Sequence, residues 1–133
     1  MSILNIAEMK VDETFEPEVV KAGEEYKLRI VSAIEGTDKN GDAYFMPFFE
    51  VADNPRCKEF GHYMPLPNES TQGEKDLNKN RLAFSSFMKC FSIEGSELDT
   101  EKVAGHEGWA ILGMGKDQDD QPQNKVNKFI AGA

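Results

Sequence analysis

Apolar and polar residues alternate along EEYKLRIVSAIEG, residues 24–36, and this alternation predicts a first β-strand. Successive side chains of a strand point to opposite faces. The face that we expect to enter the core carries Tyr26, Leu28, Ile30 and Ile34. Lys27 and Arg29 fall on the outward face. The pair Asn40-Gly41 follows and favours a hairpin turn, because both residues tolerate positive φ.

The predicted return strand, AYFMPFFEV over residues 43–51, is apolar on both of its faces. One face carries Phe45, Pro47, Phe49 and Val51, and the other carries Tyr44, Met46, Phe48 and Glu50. We assign the first face to the core. The second is then either covered, by an N-terminal arm or in an oligomer interface, or it is a platform on which bases stack. A shift of this strand by one residue would exchange the two faces.

Three more strands and one helix complete the predicted architecture. A third strand spans RCKEFGHYMPLP, and the fourth and fifth span GWAILGMG and NKVNKFIAGA. Between them, apolar residues recur at helical spacing and predict a helix over residues 77–91. Its apolar stripe consists of Leu77, Phe84, Met88 and Phe91, with Phe87 beside it. This order is that of a mainly β fold, the five-stranded OB-fold barrel with one α-helix between strands 3 and 4.

The length of 133 residues suits a single domain. We assign residues 1–20 to an N-terminal acidic arm or short first element, and residues 21–133 to the OB-fold domain. The net charge is −9, and residues 1–25 hold seven acids against two bases. This charge counts against a duplex-DNA binder that works by extensive phosphate neutralisation, but it is compatible with a local basic groove.

The two cysteines, Cys57 and Cys90, are too few for a disulfide framework and are typical of a reduced, intracellular protein. The N-terminal sequence becomes acidic within a few residues, unlike a signal peptide. Apolar runs stay well short of the about 18 residues that a membrane span requires. We therefore expect a cytoplasmic location without membrane contact.

Basic residues are concentrated on the predicted strands. They are Lys27, Arg29, Arg56, Lys58, Lys125 and Lys128. The acids gather in the arm, in the loop after the helix and in the DQDD turn, and this separation favours a groove for a phosphate backbone. Tyr63 and His62 on the third strand would extend the aromatic surface. Trp109, the single tryptophan, is either a core anchor or another residue that stacks on a base.

Other chemistries have little support in the sequence. A zinc site built from Cys57, His62, Cys90 and His106 lacks the paired spacing of known zinc motifs. The segment DKNGD resembles the start of a calcium-binding loop, but it lacks the required glycine and glutamate further on. Phosphate-binding, dinucleotide-binding and nucleophile-elbow motifs are absent from the sequence. We therefore expect no enzyme activity, no metal and no cofactor.

Four stretches in a fixed order resemble the bacteriophage single-stranded DNA-binding proteins of OB-fold type. They are KAGEEYKLRIVSA, AYFMPFFEVAD, LAFSSFMKCF and the ending GWAILG with NKVNKFI. The resemblance spans roughly residues 15–130 and implies sequence-independent binding of single-stranded DNA in phage DNA replication or recombination. Many members of that family end in an acidic tail that recruits partners, whereas this sequence ends in NKFIAGA and is acidic at its N-terminus instead.

The resulting hypothesis is a viral, non-enzymatic protein that coats single-stranded DNA in the bacterial host cytoplasm. Its base-stacking residues would be Tyr44, Phe48, Tyr63 and Trp109. Its phosphate contacts would be Lys27, Arg29, Arg56, Lys58, Lys125 and Lys128. Its partners would be single-stranded DNA and phage or host replication and recombination proteins; RNA binding and a homo-oligomer stay open. The alternative is a β-barrel protein-interaction module that binds no nucleic acid and docks a partner on its aromatic face.

Overall fold

The computed structural model describes residues 2–131. Its elements are α1 (Ile6–Met9), β1 (Glu25–Thr37), β2 (Ala43–Val51), β3 (Phe60–Gly61), β4 (Met64–Pro65), α2 (Glu74–Cys90), β5 (Glu107–Lys116) and β6 (Pro122–Phe129). The prediction of a mainly β fold with a helix before the last two strands is confirmed. Met1, Gly132 and Ala133, the outer ends of the predicted arm, domain and last strand, lie outside the described residues.

The strands form one antiparallel sheet in the order β3-β2-β1-β5-β6, and β4 also pairs with β2. β3 and β6 lie close together at the two ends of this order. Among residues 2–131, no ladder of hydrogen bonds joins them. The hydrogen bonding is therefore that of an open sheet, and α2 packs against β4, β5 and β6.

The predicted third strand is wrong in its extent, because only β3 and β4 pair with β2. The two short strands share one register, and the gap between them falls opposite Pro47. The His62 amide donates to the Pro47 carbonyl at 3.0 Å. In such an antiparallel pair each residue normally donates one hydrogen bond to the other. Proline has no N–H, so Pro47 cannot donate the second hydrogen bond, to the His62 carbonyl. The ladder is interrupted for this reason.

The prediction that Ile34 enters the core is also wrong, since its side chain is 45% exposed. The pairing of β1 with β2 shifts between Ile30 and Ser32. Val31 is the extra residue of this β-bulge, and a bulge reverses the alternation beyond it. Ala33 therefore follows Leu28 and Ile30 toward the core, and Ile34 faces outward opposite Met46.

The core lies between the inner face of the sheet and α2, and aromatic rings fill most of it. Phe49 and Phe91 stack with ring centroids 5.4 Å apart and planes 8° apart. Phe87 packs on Phe91 at 5.2 Å and edge-on to Phe129 at 5.7 Å. Each such ring contributes roughly 1.5–3 kcal/mol of burial free energy, so the predicted helical stripe holds α2 on the sheet.

No helix among residues 2–131 combines the length and the apolar character that crossing a membrane demands.

The arm is fastened to the body near its C-terminal end. Glu18 forms an isolated parallel bridge with Cys57, in which the Glu18 amide donates to the Arg56 carbonyl at 2.8 Å. The buried Asn124 side chain accepts from the Val20 amide at 2.8 Å and donates to the Val20 carbonyl at 2.9 Å. The segment at residues 56–58, predicted to open the third strand, therefore pairs with the arm instead of the sheet.

Candidate nucleic-acid interface

The outer face of β2 carries the side chains that the sequence predicts there. Phe45, Pro47, Phe49 and Val51 are buried, and Tyr44, Met46, Phe48 and Glu50 are half-buried. The predicted register of this strand is thus confirmed. The outward aromatic side chains are only partly covered, so their remaining surface is available for contact.

Two of these rings lie over glycines of the neighbouring strands. Gly36 is opposite Tyr44 in the ladder, and a Cβ at Gly36 would lie 2.9 Å from the Tyr44 hydroxyl. Gly61 is opposite Phe48, and a Cβ there would lie 2.9 Å from Phe48 Cε1 and would also overlap Met46 Cε. Real Cβ atoms do not approach this closely, so glycine is required for the rings to lie down on the sheet. The two rings therefore cover these glycines on the outer surface of the sheet.

Tyr63, in the gap between β3 and β4, extends this surface. Its ring centroid lies 4.9 Å from that of Tyr44, with the planes tilted by 39°. Its hydroxyl is 3.5 Å from Asp38 Oδ2, and its side chain is 47% exposed. Partial desolvation, together with the charge of Asp38, raises the pKa of Tyr63, so the phenol is uncharged at neutral pH. We call Tyr44, Met46, Phe48 and Tyr63 the aromatic face.

A shallow groove separates the aromatic face from the turn between β5 and β6. Met46, Phe48 and Gly61 line one side, and the other side consists of Asp117, Gln118, Asp119 and Gln123. Asp117 organises the turn, since its Oδ1 accepts from the amides of Asp119 at 2.9 Å and Gln121 at 3.0 Å. The groove therefore combines an apolar floor with amide and carboxylate groups, as a site for bases would need.

The predicted separation of bases from acids is wrong on the sheet. Arg29 donates to Glu50 Oε1 and to Glu107 Oε2, both at 3.0 Å. Lys27 Nζ lies 3.7 Å from Glu107 Oε1. Outward residues of adjacent antiparallel strands meet in register, and the pairing brings these two carboxylates beside the predicted phosphate contacts. Lys27 and Arg29 are thus partly neutralised.

Lys58 does not line the groove but is bound to the acidic turn that does. Its Nζ donates to Asp117 Oδ2 at 2.7 Å and to the Pro122 carbonyl at 3.1 Å. The Lys58 ammonium holds the pKa of Asp117 below its ordinary value. A phosphate would have to displace this carboxylate, or bridge it, to reach Lys58.

The remaining predicted bases are open to solvent. Within the part of the chain that the structure describes, Arg56, Lys125 and Lys128 form no ion pair. Lys125 and Lys128 lie on the exposed side of β6. The Arg56 guanidinium lies 4.7 Å from the centre of the Phe15 ring of the arm. These three cations are free to meet phosphate.

Trp109 is 50% exposed, so it is not a core anchor. Its ladder partner is Lys27, and it lies on β5, one strand away from β2 across β1. Lys27, Trp109 and Glu107 border a second depression together with Ile130 and Ala131, which directly follow β6. The structure therefore brings Tyr44, Phe48 and Tyr63 together and places Trp109 apart from them.

Cys90 and His62 are packed inside the fold. The Cys90 thiol contacts the Trp109 carbonyl at 3.2 Å, and burial raises the pKa of Cys90 to about 11. Burial also lowers the pKa of His62, whose ring stands edge-on to Phe129 at 5.3 Å. Among residues 2–131, no three His, Cys, Asp or Glu side chains group so that they could hold a metal ion.

Sequence reasoning missed the two glycines under the rings. Gly36 could have been found only with the loop length known, because a two-residue turn at Asn40-Gly41 places it opposite Phe45, whereas the three-residue loop 39–41 that forms places it opposite Tyr44. Gly61 could not be found in the same way, since the broken third strand left its register undefined. The role of Asp117 depends on a contact between distant segments, for which the sequence carries no local signal.

Comparison with known proteins adds no relative: no protein-family model matches the chain, and no curated protein matches it significantly.

Proposed function

We propose that this protein binds single-stranded DNA without reading its sequence, in phage DNA replication or recombination. The fold would be an OB-fold whose barrel is left open between β3 and β6. The strand order, the position of α2 between β4 and β5, and the closeness of β3 to β6 support that fold. In OB-folds the face of strands 2 and 3, beside the loop between the last two strands, binds oligonucleotides.

The observation that carries the proposal is the partly exposed aromatic face beside the groove. Tyr44 and Phe48 lie down on glycines, and Tyr63 packs against Tyr44, so the rings are already arranged before any ligand arrives. Stacking on such rings contributes about 1–3 kcal/mol per base and tolerates every base, since each has a π-face. Groups that are fixed beforehand lose little conformational entropy on binding.

In this mechanism the DNA bases lie on the aromatic face, and the DNA sugar-phosphate backbone runs past Arg56, Lys125 and Lys128. Gln118 and Gln123 at the groove offer amides that hydrogen-bond base edges of any identity. Arg56, Lys125 and Lys128 meet phosphates, and Lys58 joins them when Asp117 releases it. The protein thereby protects exposed strand and melts hairpins by mass action. The function is to cover single-stranded DNA, and it involves no chemical step.

The paired charges give the proposal a quantitative consequence. Each phosphate neutralised on a single strand contributes about −0.7 to the slope of log K against log salt. Three free cations therefore give a slope of roughly −2, whereas all six predicted bases would give roughly −4. Binding should thus depend more on stacking than on charge.

A titration tests the proposal. Protein is added to a labelled oligo-dT of about thirty nucleotides and fluorescence anisotropy is followed at several salt concentrations, with duplex DNA and RNA as competitors. We expect saturable binding that duplex DNA does not displace and a slope near −2. Absence of binding at low salt would overturn the proposal. Displacement of the labelled oligo-dT by RNA would show that the site binds both DNA and RNA.

One observation favours the alternative of a protein-interaction module. The turn beside the aromatic face carries Asp117, Asp119 and Asp120, and acids repel a phosphate backbone. A basic, partly apolar protein segment would suit the same groove. In that case oligo-dT would not bind, and the substitution Asp117→Asn would weaken capture of the protein partner.

A further inference from the structure

The backbone that carries the Arg56 side chain is fixed from two sides. Its amide donates to Asn54 Oδ1 at 3.0 Å, within the turn that follows β2. Its carbonyl accepts from the Glu18 amide of the arm at 2.8 Å, and the Glu18 carbonyl accepts from the Lys58 amide at 2.7 Å. Cys57 is buried, whereas Arg56 on one side of it is exposed and Lys58 on the other is half-buried. The Arg56 side chain therefore leaves a well-anchored segment and extends into solvent.

The guanidinium of Arg56 lies against the ring of Phe15. Its central carbon is 4.7 Å from the ring centre, which is within the range of a cation–π interaction. Phe15 is 49% exposed and does not belong to the core. Pro17 restricts the backbone between Phe15 and the bridge at Glu18, and it favours an extended conformation at the residue before it. The arm therefore holds the Phe15 ring against Arg56 without burying it.

Arg56 is close to the candidate site through Lys58, two residues further along the chain. Lys58 Nζ donates to Asp117 Oδ2 at 2.7 Å, and Asp117 lines the groove beside the aromatic face. A further depression adjoins the same turn and is lined by Lys58, Gln121 and arm residues 16–19. The arm, the two cations and the turn beside the groove are thus neighbours. A DNA strand that extends from the groove past this turn would meet Arg56 next to the arm.

We propose that Phe15 is a positioning residue of the DNA site, whose ring holds the Arg56 guanidinium ready for a phosphate. The proposal rests on the proposed function, because Arg56 is one of the cations of that site. A long side chain loses conformational freedom when it binds a ligand, and an arginine that already lies on a ring loses less. Contact with a ring also leaves the positive charge available for phosphate. Arg29 is the opposite case, since Glu50 and Glu107 partly neutralise it.

The affinity for oligo-dT at one low salt concentration tests this role in two variants of Phe15. Phe15→Leu keeps an apolar side chain but removes the π-face, and Phe15→Tyr keeps that face. We expect Phe15→Leu to lower the affinity about fivefold, the effect of one long side chain that must be immobilised. Phe15→Tyr should bind like the native protein. Thermal unfolding should change little in either variant, because the ring lies outside the core.

NMR of the free protein gives a readout that does not depend on DNA. The side-chain protons of Arg56 should carry a ring-current shift from Phe15. We expect Phe15→Leu to abolish this shift and Phe15→Tyr to retain it. Absence of the shift in the native protein would overturn the proposal, because the ring would then not hold the guanidinium.

A double-mutant cycle shows whether Phe15 acts through Arg56. Phe15→Leu is repeated in the Arg56→Gln background and in the Lys125→Gln background. Lys125 is the matched control, because it is likewise a cation without an ion pair among residues 2–131. We expect the fivefold loss to disappear in Arg56→Gln and to persist in Lys125→Gln.

The outcomes separate this proposal from the proposed function. If the native protein binds oligo-dT but Phe15→Leu loses no affinity, or loses it equally in both backgrounds, the role of Phe15 alone is overturned. Equal losses would mean that Phe15 acts without Arg56, as a ring that stacks on a base would do. Failure of the native protein to bind oligo-dT would overturn the proposed function and the role of Phe15 with it.

Discussion

The rings of Tyr44 and Tyr63 lie 4.9 Å apart, and the Tyr44 hydroxyl lies where a side chain at position 36 would otherwise be. Tyr44 is therefore held from two sides, by the ring of Tyr63 and by the backbone of β1. This arrangement fixes the aromatic face while leaving Tyr63 half-exposed. Fixed rings with one free side are the geometry that base stacking requires.

Loss of the Tyr63 ring should weaken binding without unfolding the protein. We expect Tyr63→Leu to reduce affinity for oligo-dT about tenfold, the lower part of the range for one stacked base. Stability should change by less than about 1 kcal/mol, because the side chain is half-exposed. Anisotropy and thermal unfolding measure the two effects. Leu82→Ser, which removes an exposed apolar side chain from α2, is the control and should bind like the native protein.

A methyl group at Gly61 should disturb the aromatic face from below. Its Cβ would lie 2.9 Å from Phe48 Cε1, so the ring must move. We expect Gly61→Ala to cost about 1–3 kcal/mol of unfolding free energy and to weaken oligo-dT binding. The control Gly115→Ala meets no atom closer than 3.6 Å and should be neutral in both assays. Equal behaviour of the two variants in denaturant unfolding would contradict the role given to Gly61.

Removing the charge of Asp117 should strengthen DNA binding. Asp117→Asn frees Lys58 and takes one negative charge from the groove. We expect higher affinity for oligo-dT and a salt slope steeper by about 0.7, which corresponds to one more phosphate contact. Asp99→Asn is the matched control, because Asp99 also accepts from a backbone amide in a turn and lies 4.0 Å from a lysine, Lys102. An unchanged slope for Asp117→Asn would show that Lys58 does not meet phosphate.

The same carboxylate makes stability depend on pH. The hydrogen bond from Lys58 holds the pKa of Asp117 below its ordinary value, so the folded state favours the ionised form. The stabilisation of the folded state by ionised Asp117 is complete at pH values above the ordinary aspartate pKa. It is lost as the pH falls through the lowered pKa of Asp117 in the folded state. Thermal unfolding of Asp117→Asn should therefore lose stability less steeply in acid than that of the native protein. Parallel acid profiles would contradict this assignment.

Asn124 should be the main fastening of the arm. Its side chain is buried and bonds to both backbone groups of Val20 and to the Gly113 carbonyl at 3.1 Å. We expect Asn124→Ala to cost about 1–3 kcal/mol, because it leaves partners unsatisfied, and to expose the arm to proteolysis. Limited proteolysis and thermal unfolding measure this. Asn78→Ala, at an exposed position of α2, is the control; if both variants resist protease equally, the arm is held by other contacts.

The strand and helix features that depend on local periodicity could be predicted from the sequence. The alternation of β2 and the aromatic stripe of α2 were correct, since each follows from side chains that repeat at a fixed spacing. Ile34 was misplaced because a bulge at Val31 reverses the alternation, and a bulge depends on the strand alongside. The predicted third strand was too long because residues 56–58 pair with the arm, and its break was missed because the missing N–H of Pro47 acts on the partner strand.

The charge environment was the least predictable part of the site. Glu50 looks like an ordinary strand residue in the sequence and Glu107 precedes the predicted fourth strand, and only the pairing of three strands places both beside Arg29. The contact of Lys58 with Asp117 likewise joins segments far apart in the chain. Cross-strand charge pairs follow from register, which a single sequence does not specify where strands are short or bulged.

Photo-crosslinking tests the central claim most directly, because it shows which residues touch the bases. The native protein is bound to oligo-dT, irradiated with ultraviolet light and digested, and the crosslinked residues are identified by mass spectrometry. We expect crosslinks at Tyr44, Phe48 or Tyr63, because stacking brings these rings into contact with bases. Crosslinks confined to Trp109, or none at all in a mixture that anisotropy shows to be saturated, would contradict it.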